Sequence, residues 1–429
     1  MGVGMVYWVI GISLIVLLAL RVPVSFAMLI SSLLALLAAG NVPMVVVPQR
    51  MWGGLESFPL LAIPFFVLAG ILLNKGGGAE AIFKFCMTGL GHIRGGLAYV
   101  NVLASIIFAG MTGAATADAA GLGAIEIEAM KKDGYPPEFA AAVTAASSTI
   151  GPIIPPSVPL VVYGVMAQVS IGQLFISGVI PGLLMGLAMV VVIFFVLKKS
   201  KQAVKERAGL RMVMVEFKRS FLALLCPLVI LGGIFSGVFT PTEAGAIAAL
   251  YALFLGFVYK GLKWKDLPGI MVEAMLTTAQ ITFIVAAAGL FGWILTRFQF
   301  PTIVANGLMA LTSNKYIALL LISAALLVMG CFIDALSLVI MMTPVIVPIA
   351  VAFDISLLQT GLVLVVGCMI GLNTPPVGIC LYIVSDLAKV PVMRVAKALA
   401  PFYIALIVSL IMLAVFPFFS TYLPSILKL

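Results

Sequence analysis

Apolar runs fill this chain from Met5 to its end, separated only by short polar or Gly/Pro-rich connections. A helix of about 20 apolar residues crosses the hydrocarbon core of a bilayer, so the length allows roughly ten to a dozen membrane segments. Met5–Leu20 has no basic stretch before it, and a second apolar run follows at once. It therefore reads as a retained span rather than a cleaved leader. Two features break the monotony. Leu97–Met130 would overshoot a bilayer as one helix, and Gly110–Asp118 interrupts it with small and polar residues. Glu138–Gln168 is interrupted in turn at Ser147–Pro156. The first stretch predicts a hairpin that enters and leaves by one side; the second predicts a broken span.

The same plan recurs 220 residues later. Gly151-Pro152-Ile153-Ile154-Pro155-Pro156 aligns with Gly371-Leu372-Asn373-Thr374-Pro375-Pro376, Pro181 with Pro401, and Gly110 with Gly330. The shared offset predicts a duplication: a first copy over 1–197, a basic linker over 198–220 and a second copy over 221–429. The second copy has its own hairpin (about 316–351) and broken helix (about 356–385). Each copy is read as five full crossings plus a re-entrant hairpin. Five is odd, so the copies are inverted, a recurrent plan of secondary transporters. The fold class expected is an all-α polytopic membrane protein with inverted repeats, two re-entrant hairpins and two broken transmembrane helices.

Composition agrees: 63% of residues are hydrophobic and 9% charged, against about 25% charged in soluble domains. Mean hydropathy is +1.27. A net charge of +9 would suggest nucleic acid, but eight of the 24 Lys and Arg lie between Lys198 and Arg219. With that segment placed in the cytoplasm, only Arg50, Arg297, Lys315 and Lys428 fall outside, which satisfies the positive-inside rule. Both termini then lie in the periplasm. The five cysteines lie in apolar stretches without metal-ligand spacing, and the single histidine, His92, has no partner.

Broken backbone at membrane depth must be buried in protein or line a cavity, so the four breaks mark the expected site. Unwound carbonyls, Ser and Thr hydroxyls, an Asn amide and a carboxylate are hard oxygen ligands suited to Na⁺. Half-helix N-termini suit a substrate carboxylate. Asp118 and Asp334 each have two readings, helix cap and ion or substrate ligand, and the two can coincide. Ser147, Ser148 and Thr149 are ligands or small packing residues. Asn373 and Thr374, beside two prolines, favour a site. Glu243 after Thr240-Pro241-Thr242 predicts a first-turn carboxylate. No Walker loop, nucleophile elbow or zinc-protease motif is present. With one histidine and no paired carboxylates, the chain is not expected to be an enzyme.

Phe58-Pro59-Leu60-Leu61-Ala62-Ile63-Pro64-Phe65-Phe66, the two Gly/Pro segments and Phe239-Thr240-Pro241-Thr242-Glu243-Ala244 together resemble the large membrane subunit of TRAP transporters, the DctM-like family. The resemblance implies an elevator: a scaffold and a moving domain that contains both hairpins. It implies Na⁺-driven uptake of an organic acid of the C4-dicarboxylate, sugar-acid or sialic-acid type. It also implies two partners, a periplasmic substrate-binding protein and a separate four-helix small membrane subunit. Location would be the bacterial inner membrane, with Na⁺ as coupling ion and no cofactor. Carried over by position, one Na⁺ site would involve Thr112, Ala114, Asp118, Ser147, Ser148, Thr149 and Gly151. The other would involve Gly330, Asp334, Gly371, Asn373 and Thr374. Substrate would meet Thr116, Pro155, Pro156, Pro375 and Pro376. An autonomous Na⁺/dicarboxylate symporter of the same fold is the alternative, with a channel behind it.

Overall fold

A computed structural model describes residues 3–198 and 208–427; residues 199–207 of the expected linker lie outside the described residues. The first half runs α1 (Val3–Ala19), α2 (Val24–Ala39), α3 (Val46–Gly53), α4 (Ala62–Lys75), α5 (Gly78–Leu90), α6 (Gly96–Thr112), α7 (Ala115–Ala120), α8 (Leu122–Lys132), α9 (Pro137–Ser148), α10 (Val158–Ala167) and α11 (Ile171–Leu197). The second runs α12 (Leu210–Phe235), α13 (Pro241–Val258), α14 (Leu267–Arg297), α15 (Phe300–Leu311), α16 (Lys315–Gly330), α17 (Ala335–Ala352), α18 (Leu357–Gly371), α19 (Ile379–Ala388), α20 (Val392–Val415) and α21 (Phe418–Leu427). No strand occurs among the described residues.

The 220-residue offset carries over to the elements. Helices α7, α9, α10 and α11 start at Ala115, Pro137, Val158 and Ile171; α17, α18, α19 and α20 start at Ala335, Leu357, Ile379 and Val392. Differences appear at the edges. The chain from α3 through a 3-10 turn at Phe58–Leu61 to α4 corresponds to the single continuous helix α14. Helix α12 begins at Leu210, inside the segment expected to be linker.

Among the described residues seven helices are long and apolar enough to cross a membrane, fewer than the ten to a dozen segments anticipated. Many of the rest are shorter. Helices α1 and α2, with 17 and 16 residues, fall just below span length. Helices α6, α9, α10, α16, α18 and α19 begin or stop at the internal breaks. Helix starts have local causes. Pro137 and Pro241 occupy first-turn positions, where proline's missing N–H costs nothing. Thr240 and Glu243 form a reciprocal capping box that starts α13, which places Glu243 in the first turn as expected.

Packing pairs elements across the two halves. Helix α4 lies on α13, and its counterpart α14 lies on α2; α9 lies on α20 and α18 on α11. Helices α2, α4, α13 and α14 form one continuous group, and the broken helices with their hairpins form another. The seam between the groups runs along α4 and α14, which touch α6 and α17.

Candidate functional site

Each hairpin tip meets the broken helix of its own half. Helix α6 ends at Thr112, and Gly113 turns the chain with φ +61°, a left-handed conformation that favours glycine. A Cβ there would also strike the Pro156 carbonyl. Gly151 lies beside Ala114, where an added Cβ would stand 3.6 Å from the Ala114 carbonyl carbon. In the second half Gly330 faces Gly371; a Cβ on Gly330 would come within 2.9 Å of the Gly371 Cα. The Val377 N–H donates to the Cys331 carbonyl at 3.2 Å, tying the second tip to its break. The far halves then cross over. Helix α19 packs on α7, and α10 packs on α17, so the two junctions are brought side by side.

Between them and the seam lies a cavity of about 720 Å³. Thr112 through Ala117 and Pro152 line it from the first junction, and Asp334, Ala335 and Leu336 from the second. The opposite wall belongs to the α2, α4, α13 and α14 group: Asn74 and Lys75 at the end of α4, and Glu273, Thr277 and Gln280 on one face of α14. That group reaches the first tip directly, since Asn74 Nδ2 donates to the Ala117 carbonyl at 3.4 Å.

Beneath the first tip is a polar cluster wholly shut off from the surface. Asn101 Nδ2 donates to Glu126 Oε2 and to Thr144 Oγ1, each at 2.7 Å. Ser147 Oγ donates to Asn101 Oδ1 at 2.7 Å, and Ser105 Oγ donates to Ser147 Oγ at 3.1 Å. Several buried atoms have no partner: both carboxylate oxygens of Asp118, Glu126 Oε1, Thr112 Oγ1, and Oδ1 and Nδ2 of Asn373. Buried polar groups are ordinarily satisfied; of the unpartnered buried atoms, those of Thr112, Asp118 and Asn373 lie at or beside the breaks, while Ser31, Ser32, Ser177 and Thr278 carry others elsewhere.

The expected residues divide by placement. Thr112, Thr116 and Asp334 line the common cavity. Asp334 also caps α17, accepting from the Ser337 N–H at 3.2 Å, so the capping reading holds for it. Asp118 caps nothing: α7 starts after Ala114 without a side-chain cap, and Asp118 sits further inside the helix. Ser148 and Thr149 donate to the carbonyls of Ala145 and Ala146, and Thr374 to that of Ile370. The Asn373 carbonyl accepts from the Tyr403 hydroxyl. Pro155 and Pro156 are buried, Pro375 is half-buried and Pro376 exposed; Pro152 is the break proline that lines the cavity.

Asp118 and Glu126 are both buried, each 1% exposed, and the bend at Gly121, φ −83° and ψ −80°, separates α7 from α8 between them. Asn74, Asn101, Ser105, Glu126 and Thr144 were missed by sequence. Asn101 and Glu126 stand alone in apolar stretches, which was the available signal. Among the described residues no three His, Cys, Asp or Glu side chains form a metal-holding group.

Known proteins resemble the chain over nearly its whole length. The family described as tripartite ATP-independent periplasmic transporter, DctM component, matches residues 11–419. The sialic acid TRAP transporter large permease protein SiaM of Vibrio cholerae is 42% identical over 405 residues, 94% of this chain and 95% of that protein. The C4-dicarboxylate TRAP transporter large permease protein DctM of Pseudomonas aeruginosa is 38% identical over 371 residues, 86% of this chain and 87% of that one. In fold alone, the chain is similar to the Alcanivorax borkumensis YdaH transporter, with a TM-score of 0.63 at 15% identity over 89% of this chain and 90% of that one.

Proposed function

The chain belongs to the DctM family of tripartite ATP-independent periplasmic transporters, and on that premise we propose that it carries an organic acid inward across the bacterial inner membrane in symport with Na⁺. It is a large permease subunit and an integral membrane protein. The acid belongs to the sialic-acid, sugar-acid or C4-dicarboxylate type. A periplasmic binding protein delivers it, and a small membrane subunit covers part of the scaffold. The basic segment near Lys198–Arg219 faces the cytoplasm and the termini face the periplasm.

The observation that carries the reading is the cavity of about 720 Å³ where both tips meet the scaffold seam. A compartment shared by a scaffold and a separately packed group is what movement of one group past the other requires. The hairpins are re-entrant, and the group containing them slides along α4 and α14 as an elevator. The coupling ion enters where oxygens lack partners. A buried carboxylate such as Asp118 is costly at membrane depth, and a cation supplies the missing partner. Thr112 Oγ1 and the break carbonyls near Gly151 complete an oxygen set suited to Na⁺. Asn373 and the carbonyls near Gly330 and Gly371 do the same in the second half.

The experiment is uptake into proteoliposomes that contain this chain and the small subunit, with the binding protein outside. An inward Na⁺ gradient is expected to drive accumulation of N-acetylneuraminate or succinate. Accumulation unchanged when K⁺ replaces Na⁺ refutes the coupling. Transport that survives omission of the binding protein favours the autonomous symporter.

A further inference from the structure

The cavity wall opposite the tips contains positive charge that the tips lack. Among the described residues Lys75 is the only cationic side chain lining it. Lys75 Nζ is 2.5 Å from Glu273 Oε2, and both side chains are 49% exposed. Thr277 and Gln280 follow Glu273 at helical spacing on the same face of α14. The Lys75 end of α4 meets the loop that carries Lys260, Lys263 and Lys265, because Gly76 and Gly261 are in backbone contact. That loop is on the basic, cytoplasmic side.

We propose that Lys75 is an anion-holding station on the scaffold: it takes the substrate's carboxylate as this leaves the tips toward the cytoplasm, and Glu273 is its resident counter-ion. This rests on the transport reading above. The physical argument is exchange. A half-exposed ion pair is worth little, so an arriving carboxylate can displace Glu273 without a large barrier. When the acid departs, Glu273 closes on Lys75 again and the station does not trap its cargo. Thr277 and Gln280 supply neutral hydrogen-bonding groups alongside. The arrangement answers a chemical need, since no Lys or Arg lies at either tip to hold an acid.

The test places a cysteine at Thr277 and follows its reaction with an anionic thiosulfonate in the reconstituted two-subunit permease, against the parent without that cysteine. Millimolar succinate and N-acetylneuraminate are the probes. Either acid is expected to slow labelling by about two- to five-fold, the scale of an exposed ion pair. Lys75→Gln abolishes the protection and Glu273→Gln increases it. If Lys75 and Glu273 only join α4 to α14, both variants lower thermal stability alike and protection does not change; that result overturns the proposal, as does protection by neither acid. Labelling is read without a Na⁺ gradient, so failed uptake with intact Lys75-dependent protection counts against the transport reading alone.

Discussion

Replacing Asn101 by alanine tests whether the cluster under the first tip is a cooperative unit. Asn101 is fully buried and makes three side-chain bonds of 2.7 Å. Its loss does not affect the three partners equally. Ser147 keeps its bond to the Thr144 carbonyl at 3.1 Å, and the Thr144 hydroxyl oxygen loses one accepted bond while its own O–H stays free to donate. Glu126 has no such recourse. Oε2 loses the bond from Asn101, and Oε1 has none to begin with. A buried group left unsatisfied costs about 1–3 kcal/mol, and the two weakened hydroxyl bonds add about 0.5 kcal/mol each. Asn101→Ala should therefore destabilise by about 2–4 kcal/mol. The assay is unfolding of the purified permease in detergent, for Asn101→Ala, Glu126→Ala and the double variant. Removing Glu126 removes the stranded carboxyl, so the double variant should lose less than the two single losses together, by about 1–2 kcal/mol. Strict additivity, or an Asn101→Ala variant within about 0.5 kcal/mol of the parent, refutes the reasoning.

Further expectations concern the breaks. Asp334→Ala and Asn373→Ala should express normally yet reduce uptake and flatten its dependence on Na⁺; a variant that transports normally with an unchanged Na⁺ response removes that residue from the site. Gly330→Ala places a Cβ within 2.9 Å of the Gly371 Cα, backbone that cannot swing aside. It should cost about 1–3 kcal/mol of stability, read as a lower unfolding midpoint. Gly121→Ala places a Cβ on the Asn74 carboxamide, a side chain rather than backbone. It should slow uptake more than it lowers the unfolding midpoint; the reverse order would show Gly121 to be structural.

The breaks were readable because each concentrates residues that cannot continue a helix: glycine at 113, 330 and 371, prolines at 155, 156, 375 and 376, and Asp334 at a cap. The repeat was readable because one offset aligned Gly110 with Gly330, Gly151 with Gly371, and Pro155 and Pro156 with Pro375 and Pro376. The polar cluster was not. Asn101, Glu126 and Thr144 come from three different helices, and each alone looks like an isolated polar residue in an apolar run. Only the packing of α6, α8 and α9 makes them partners. The cavity wall formed by α4 and α14 was hidden for a similar reason, because Lys75 and Glu273 are 198 positions apart. The roles of Asp118 and Asp334 were left open by sequence because capping depends on where a helix begins, and the two aspartates differ in that by several residues.

The exchanged packing of the halves has a consequence for biogenesis. Helix α2 rests on α14 as well as on α1, and α4 rests on α13, so each half borrows part of its packing from the other. While the ribosome is still synthesising the second half, the first waits in lipid with the surface of α2 that α14 will cover still open. Ser31 and Ser32 of α2 are fully buried and without partners in the finished fold. Nascent chains halted before α14 should therefore be substrates for membrane quality-control proteases, and release past Arg297 should confer resistance.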